Sequence, residues 1–433
     1  MHWSFRSVSI LAGLSLAILL VSVRTSAVPA PQAAAVSMVA ITGEGARYWP
    51  RWRGPSGQGI VSGDRGYPDT WSATQNVLWK VPVPGEGNSS PIIWGDRIFL
   101  TTARDAGRRL SLIAFRRSDG TQLWEASAPE GRQESVHNKN GHASATVSTD
   151  GKLVYVSFGS RGLMAFDFDG KLVWRQDLGA INNYWGTAGS PLLYKDRVIL
   201  YQDQRAGSFI AAFDAATGKQ LWRTARNATV GWGTPVAITA NGRDEIVVNG
   251  QYAVVAYNPE TGAELWRVSG TTMEVVPTIV VGHGLLFSSS GRAGPTLAIR
   301  PGGQGDVTGT HLVWSSPRGS PFIPSPILHG DRLYMVNDMT SIATAFDAKT
   351  GETVWQNRLG VAQREGFSAS PVVVDGKIFF TNDQGETFVL RGGSQFDLMH
   401  VNNLGEPTLA SPALVDGRWY IRTAASLFAI GTR

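Results

Sequence analysis

The segment Ala212-Phe-Asp-Ala-Ala-Thr-Gly-Lys-Gln-Leu-Trp222 is repeated along the chain and decides the fold. Its copies share a polar turn and a closing tryptophan, and they occur at Ala256–Trp266, Ala345–Trp355, Ala298–Trp314 and, in looser form, before Trp124 and Trp174. In the first segment Asp214 can hydrogen-bond its own backbone to start a turn, and Gly218 supplies the left-handed residue. Copies spaced 41 to 50 residues apart are typical of four-stranded propeller blades.

A small residue followed by proline, or a variant of that pair, opens each repeat. These opening pairs are Ser90-Pro91, Ser144-Ala145, Ser190-Pro191, Thr234-Pro235, Val276-Pro277, Ser325-Pro326, Ser370-Pro371 and Ser411-Pro412. Proline is acceptable at the first residue of a strand, where its missing N–H breaks no ladder bond. An apolar strand, a tight turn such as Asp375-Gly376 and a β-branched or aromatic strand follow each pair.

The closing positions are offset from the opening pairs. They are Trp79, Trp124, Trp174, Trp222, Trp266, Trp314, Trp355 and the degenerate Leu404. Trp79 precedes the first opening pair, whereas the unit from Ser411 stops after its third strand, so Val77–Val81 is predicted to complete that last blade. The prediction is an all-β, eight-bladed propeller of four-stranded antiparallel blades, closed by this N-terminal strand. Seven blades is the alternative, because the unit from Ser370 to Leu404 is the weakest.

The seven tryptophans of the repeat are predicted to fill the wedges between neighbouring blades, with ligand stacking as the alternative.

The composition excludes some classes of function. Charged residues make up 17 % of the 433 residues, and the net charge of +5 is spread along the chain. We therefore expect no nucleic-acid partner and a monomer. The absence of cysteine excludes a lipid-bearing cysteine, cysteine-ligated metal and thiol chemistry.

The N-terminus is typical of a secretory signal. Residues 7–23 form a mainly apolar run flanked by Arg6 and by small residues, which predicts a signal peptide over 1–27. A retained membrane anchor is the alternative; cleavage would leave no membrane span and a periplasmic or secreted protein. Residues 28–47 are predicted to be a flexible leader, and 48–433 the propeller domain. The aromatic and turn-rich stretch Tyr48–Gly59 suggests a clamp over a surface.

The repeat with its Ser-Pro openings resembles the PQQ-like β-propeller (pyrrolo-quinoline quinone repeat) family, which includes BamB-like propellers and quinoprotein alcohol dehydrogenases. The resemblance covers 48–433. It implies either a non-catalytic scaffold or an enzyme that holds PQQ with a bound Ca²⁺. Family dehydrogenases are typically longer, and well-known ones hold the quinone against a disulfide of adjacent cysteines, which this chain lacks.

We therefore predict an exported, non-catalytic scaffold that binds a protein or peptide of the bacterial cell envelope, with no catalytic residue, metal or cofactor expected. The alternatives are a PQQ-dependent quinoprotein oxidoreductase with Ca²⁺ and a propeller that binds a small molecule or carbohydrate. Reconstitution with PQQ and Ca²⁺ separates them: retained quinone with alcohol oxidation would contradict the scaffold, and capture of an envelope partner without either signal would contradict the oxidoreductase.

Loops that join the outer strand of one blade to the inner strand of the next should meet at one mouth of the channel and form a ligand or partner funnel. The predicted funnel residues are His137, Asn140, His142, Asn183, Tyr184, Trp185, Trp232, Glu274, Arg318, Arg364 and Glu365. His137 and His142 could bind a metal only with a third ligand, or they are incidental loop residues. Trp185 and Trp232 could stack a planar ligand or cap the channel. Glu274 is a cation ligand or, by default, an ion-pair partner of Arg318 or Arg364.

Overall fold

The structure, a computed structural model, describes residues 1–3, 36–63, 66–292, 294–317 and 319–432. The chain divides into two compact units, Met1–Gln32 and Ala33–Arg433, and the second holds all of the described secondary structure. Within these ranges no helix has the length and apolar character needed to cross a bilayer. The predicted signal peptide lies outside the described residues from residue 4 onward and stays a prediction.

Eight antiparallel sheets surround a central channel, which confirms the eight-bladed β-propeller; the seven-bladed alternative is wrong. From the inner to the outer strand, blades 1 to 4 consist of Ile92–Trp94, Arg97–Arg104, Arg109–Arg116 and Gln122–Ser127; Ser148–Thr149, Leu153–Ser157, Leu163–Asp167 and Leu172–Gln176; Leu192–Tyr194, Arg197–Gln202, Phe209–Asp214 and Gln220–Ala225; and Val236–Ala240, Arg243–Asn249, Ala253–Tyr257 and Glu264–Ser269. Blades 5 to 8 consist of Val280–Gly282, Leu285–Ser289, Thr296–Ile299 and Leu312–Ser316; Ile327–His329, Arg332–Asn337, Ile342–Asp347 and Thr353–Arg358; Val372–Val374, Lys377–Thr381, Glu386–Arg391 and Leu398–Asn403; and Ala413–Val415, Arg418–Arg422, Ser426–Ile430 and Val77–Pro82.

Blade 8 closes the ring in the predicted way. Its outer strand, Val77–Pro82, pairs antiparallel with Ser426–Ile430, and Trp79 lies opposite Ala429. Two short strands extend blade 4: Val36–Met38 pairs with its inner strand, and Gly305–Asp306 pairs with its outer strand. The remaining elements are the 3-10 helices Gly43–Arg47 and Gly159–Arg161 and the α-helix Thr308–His311.

A closed circuit of hydrogen bonds joins the inner strands. The backbone N–H that opens each blade donates to the side-chain hydroxyl that opens the next, over 2.9 to 3.3 Å. This hydroxyl ring consists of Ser90, Thr146, Ser190, Thr234, Thr278, Ser325, Ser370 and Ser411. The predicted openings Ser144-Ala145 and Val276-Pro277 are therefore wrong by two residues, because the position requires a hydroxyl but not a following proline.

The tryptophans of the repeat lie between blades. Trp222 is 9 % exposed, and its Nε1 donates to the carbonyl of Pro259 in blade 4 over 3.0 Å. A Cβ added at Gly262 would lie 2.4 Å from the indole, so the glycine lets the turn of blade 4 rest on the ring. The indoles that donate in this way to the next blade are Trp79, Trp124, Trp174, Trp222, Trp314 and Trp355. Trp266 differs, because its Nε1 donates to the buried Glu245 of its own blade over 2.7 Å.

An N-terminal segment, residues 36–62, seals the mouth of the channel where the first and second strands turn; we call it the plug. Trp49 forms a β-bridge with Ile93 of blade 1, and Gln58 Oε1 accepts the N–H of Val281 in blade 5 over 2.7 Å. Arg53, 2 % exposed, donates to the carbonyl of Pro326 in blade 6 over 2.8 Å.

The plug corrects two predictions. Tyr48–Gly59 is not a clamp over a surface, because it lies inside the channel against the inner strands. The leader is not free of structure from Val36 onward, because Val36–Met38 pairs with the inner strand of blade 4. Val36 and Met38 also pack against apolar side chains of that blade.

Candidate functional site

The opposite mouth of the channel holds a cavity of about 160 Å³, which we call the funnel. Eight of its lining residues come from the same position of each blade, two residues before the hydroxyl ring. They are Asn88, Ser144, Ala188, Trp232, Val276, Ile323, Ser368 and Leu409. Side chains alternate along an extended segment, so a residue two positions before the ring faces the channel as the ring does. The repeat thus fixes where the funnel floor lies.

Loops supply the rest of the lining, and they bring most of its polar and charged groups. These loop residues are His137, Lys139, Asn140, Trp185, Arg292, Phe322 and Glu365. Arg292 follows the second strand of blade 5, whereas the others lie in connections between blades. Both kinds of loop open at this mouth because the strands of a blade are antiparallel.

Aromatic rings form one wall of the funnel. The indoles of Trp185 and Trp232 stack with centroids 5.0 Å apart and planes 27° apart. Tyr184 meets both of them edge-on at 5.1 and 5.9 Å, and Phe322 meets Trp185 at 5.8 Å. The Nε1 of Trp232 donates to the carbonyl of Gly186 over 2.9 Å, which fixes the orientation of the stack.

The connection between blades 1 and 2 crosses the funnel. Lys139 Nζ lies 2.9 Å from Asp383 Oδ2 in blade 7 and also donates to the carbonyl of Glu365. Asn140 Nδ2 donates to the carbonyl of Trp185 over 2.7 Å, and Asn88 donates to the carbonyl of Asn140. One loop thereby links three sides of the mouth.

Two buried carboxyl groups lie below the rim. Asp338 is fully buried; Oδ1 accepts the N–H of Phe322 over 2.7 Å, and Oδ2 has no partner among the described residues. Burial raises the pKa of Asp338 to about 6, partly opposed by backbone N–H groups and by Lys139. Burial also raises the pKa of Asp383, although Lys139 and Ser368 favour its charged form.

Most of the predicted funnel residues come together. His137, Asn140, Trp185, Trp232 and Glu365 line the cavity. Tyr184 and Glu274 join them through one hydrogen bond of 2.7 Å between the phenol and the carboxylate, and burial together with that bond raises the pKa of Tyr184. Asn183 lies beneath, where its Oδ1 accepts the N–H of Trp185 over 3.1 Å.

Two predicted residues do not belong to the cavity. His142 packs against Gly107 and lines a separate small cavity, so it shares no metal site with His137. Arg364 is exposed and lines no part of the funnel, and Arg318 lies outside the described residues. The expected ion pair between Glu274 and Arg364 is also wrong, because Glu274 pairs with Arg292 at 3.7 Å. The described residues contain no group of three potential metal-ligating side chains.

Sequence reasoning missed Lys139, Arg292, Asp338 and Asp383, together with the floor residues other than Trp232. Two signals could have found them. The floor follows from counting back two residues from each ring hydroxyl. Arg292, Asp338 and Asp383 each follow the second strand of a blade, and the ends of those strands lie at the funnel mouth.

The chain is an eight-bladed propeller with a cavity at one mouth of its channel and the plug at the other. The profile of the family described as "Outer membrane protein assembly factor BamB" matches residues 59–144, 111–357 and 338–430. The chain belongs to this family, the BamB-like branch of PQQ-like propellers.

Known proteins with different functions share this fold. Outer membrane protein assembly factor BamB of Burkholderia pseudomallei (strain K96243) is 23 % identical over 279 residues, 63 % of this chain and 66 % of that protein. Tetrathionate hydrolase of Acidithiobacillus ferrooxidans is 20 % identical over 385 residues, 80 % of this chain and 65 % of that protein. The chain thus spans slightly less than two thirds of the length of these curated relatives.

A solved structure extends the comparison. A europium-containing methanol dehydrogenase superposes with a TM-score of 0.64 at 10 % identity, over 89 % of this chain and 98 % of that chain. At this identity the likeness shows the fold alone. An assembly factor, a hydrolase and a dehydrogenase share it, so function must come from the site.

The funnel is a poor fit for a flat cofactor such as PQQ. Trp185 already stacks on Trp232 at 5.0 Å and carries the guanidinium of Arg292 at 5.2 Å, so a quinone could stack on this indole only by displacing one of them. The cavity of about 160 Å³ is also smaller than the roughly 300–1,000 Å³ of small-molecule sites. No catalytic step through PQQ follows from this arrangement.

Proposed function

We propose that the chain is an exported, non-catalytic propeller scaffold that binds a protein or peptide partner of the bacterial cell envelope through the funnel. The observation that carries this proposal is the shape of the funnel. It is a shallow aromatic cavity with a polar rim, at the open end of a channel whose other end is sealed. Such a cavity suits one or two side chains of a partner rather than a whole cofactor.

The sealed channel limits how a partner can bind. Because the plug occupies the opposite mouth, a segment of a partner cannot pass through the propeller and must dock on the funnel side. There it meets the aromatic wall of Trp185 and Phe322, over which Arg292 lies, and groups that can hydrogen-bond a backbone, such as Asn140 and His137. An apolar centre with a polar rim is the usual anatomy of a protein interface.

The family supports the envelope assignment. Its profile and the relative from Burkholderia pseudomallei are described as outer membrane protein assembly factors. A signal peptide over residues 1–27 would deliver the chain to the periplasm. N-terminal sequencing of the protein recovered from a periplasmic fraction tests this directly: a start near residue 28 is expected, and a chain that keeps residue 1 contradicts cleavage.

Site-specific photocrosslinking tests the binding proposal. A benzophenone amino acid at Leu409, in the funnel floor, should give a discrete adduct with one envelope protein. The same group at Leu221, 43 % exposed on an outer strand, serves as the matched control. The adduct should disappear in a Trp185→Ala background that melts at the wild-type temperature. Equal adducts from both positions, or none from Leu409, would contradict partner binding in the funnel.

The alternative functions give different signals. Reconstitution with PQQ and Ca²⁺ should leave no quinone absorbance on the protein after gel filtration and no dye-linked alcohol oxidation. Retained quinone with oxidation would replace the scaffold proposal by the quinoprotein oxidoreductase. Saturable binding to a glycan array, lost in Trp185→Ala, would favour a carbohydrate-binding propeller.

A further inference from the structure

Arg292 lies across the mouth of the funnel with its guanidinium against two aromatic rings. Its Cζ is 5.2 Å from the centroid of Trp185 and 4.9 Å from that of Phe322. Both distances lie within the roughly 6 Å over which a cation is attracted to an aromatic face. With Trp232 stacked behind Trp185, these rings form the wall of a cage that already holds a cation.

Carboxylates complete the cage. Glu274 Oε2 is 3.7 Å from Arg292 Nε, and Glu365 Oε1 is 3.5 Å from Arg292 Nη2. Close charge-assisted bonds are roughly 2.7–2.9 Å, so both pairs are loose. In the described part of the chain Arg292 is the ion-pair partner of both acids, and one guanidinium therefore serves two carboxylates.

The acids are held more firmly than the arginine. The side chains of Glu274 and Glu365 are 13 % and 20 % exposed, whereas that of Arg292 is 42 % exposed. The phenol of Tyr184 donates to Glu274 Oε1 over 2.7 Å and fixes that carboxylate. The carboxylates of the cage are thus more buried than the arginine that occupies it.

A tight turn delivers Arg292 to this position. Gly291 has a φ of +55°, and a Cβ there would lie 1.7 Å from the carbonyl oxygen of Glu274. At Gly294 a Cβ would lie 1.9 Å from the carbonyl oxygen of Ser290. Gly291 therefore packs closely against the loop that carries Glu274, which brings its neighbour Arg292 next to that carboxylate.

We propose that this cage is the recognition point for an arginine side chain of the partner, and that Arg292 occupies it in the unbound protein as an internal substitute. This rests on the proposed function, since it names the chemistry of the segment that the funnel binds. Charge complementarity selects a cation, and the flat aromatic wall flanked by two carboxylates selects a guanidinium over an ammonium. If Arg292 instead contacts an acidic group of the ligand, removing Arg292 should weaken binding rather than tighten it.

Isothermal titration with capped pentapeptides tests the proposal. The probes carry a single central residue, arginine, lysine or the neutral isostere citrulline, and the full-length mature protein is used. Arg292→Ala empties the cage. Arg364→Ala, which removes an exposed arginine beside Glu365, is the matched control. Glu365→Gln in the Arg292→Ala background removes one carboxylate while keeping the size of the side chain.

If Arg292 fills the cage in nine of ten molecules, its removal should tighten binding of the arginine peptide about tenfold. Arg364→Ala should leave it unchanged. The citrulline peptide should bind Arg292→Ala at least about tenfold more weakly than the arginine peptide, and the lysine peptide should have an intermediate affinity. Adding Glu365→Gln to Arg292→Ala should weaken binding of the arginine peptide several-fold. Unchanged or weaker binding of the arginine peptide to Arg292→Ala, or equal binding of arginine and citrulline, overturns the proposal. Unaltered melting temperatures of the variants exclude unfolding as the cause.

The crosslinking at Leu409 separates this inference from the proposed function. A partner adduct together with equal binding of the arginine and citrulline peptides leaves the scaffold function standing and refutes the arginine cage. Arginine-selective peptide binding without any adduct supports the cage and refutes an envelope partner at the funnel.

Discussion

Truncating Trp222 to alanine should destabilise the propeller without changing the funnel. The indole is 9 % exposed, donates to Pro259 over 3.0 Å and supports Gly262 of the next blade. Phe and Trp truncations in cores typically cost about 3–5 kcal/mol, which includes the cavity left behind. That is a large part of the roughly 5–15 kcal/mol by which domains are stable, and it corresponds to a fall in Tm of about 6–10 °C at about 2 °C per kcal/mol.

Two further variants separate the packing of the ring from its hydrogen bond. Trp222→Phe keeps most of the ring but leaves the carbonyl of Pro259 without its donor, and it should cost about 1–2 kcal/mol. Leu221→Ala, on the exposed neighbour, should change stability by about 0.5 kcal/mol or less.

A double-mutant cycle tests the contact itself. Gly262→Ala should destabilise the wild type through both its φ of +72° and the clash with the indole, but should cost less in Trp222→Ala, where the clash is gone. The assay is urea unfolding followed by circular dichroism, with binding at the funnel measured in parallel. A cost below about 1 kcal/mol for Trp222→Ala, or strict additivity with Gly262→Ala, would refute the wedge.

Three other perturbations have defined outcomes. Ser411→Ala should cost about 1–2 kcal/mol in urea unfolding because the buried N–H of Ser370 loses its acceptor, whereas Ser411→Thr should be close to neutral, since threonine serves elsewhere in the ring. The pKa of Asp338 is raised from 3.8 to about 6, so the folded state binds more protons than the unfolded state between pH 4 and 6, and the free energy of unfolding falls as pH rises through that window. The Tm of Asp338→Asn relative to wild type should therefore rise from pH 4 to pH 6.5. A difference that stays constant over this range would contradict the raised pKa. Arg226→Met should cost about 3–5 kcal/mol in the same unfolding assay because it leaves Asp203, bonded at 2.7 and 2.9 Å, buried without its cation.

The blade number and the ring closure were predictable because they depend on residues that every repeat needs. An aspartate or asparagine and a glycine recur at most of the turns, and an indole recurs on seven of the eight outer strands, whatever the protein binds. The two misplaced openings, at Ser144 and Val276, show the limit of that logic. The pattern in the sequence is a small residue before proline, whereas the geometry requires a hydroxyl that accepts the N–H of the preceding blade, which Thr146 and Thr278 supply.

The plug was not predictable from local pattern. Arg51 and Arg53 suggest a solvated surface in the sequence, yet both are buried, and burial lowers their pKa values to about 10 and about 9. Backbone carbonyls of Val39, Pro55 and Pro326 accept from them. The carbonyls of Val39 and Pro55 lie in the plug itself, but that of Pro326 belongs to blade 6. The acceptor of Arg53 is therefore in place only once the ring has closed, and the segment alone does not indicate that this arginine is inside.

The position of the funnel was predictable from the repeat, as the blades were, but the identity of its residues was not, as with the plug. The position two residues before each ring hydroxyl is fixed by the fold, because extended backbone must present it to the channel. The residue there is not fixed: it is asparagine, serine, alanine, tryptophan, valine, isoleucine or leucine around one mouth. The neighbouring loops are equally free, and one of them carries Arg292. Since the ring hydroxyls bear the structural requirement, substitutions two residues earlier can change the funnel floor without breaking the circuit. The repeat therefore locates the candidate site, and under our proposal the residues that depart from the repeat determine its ligand.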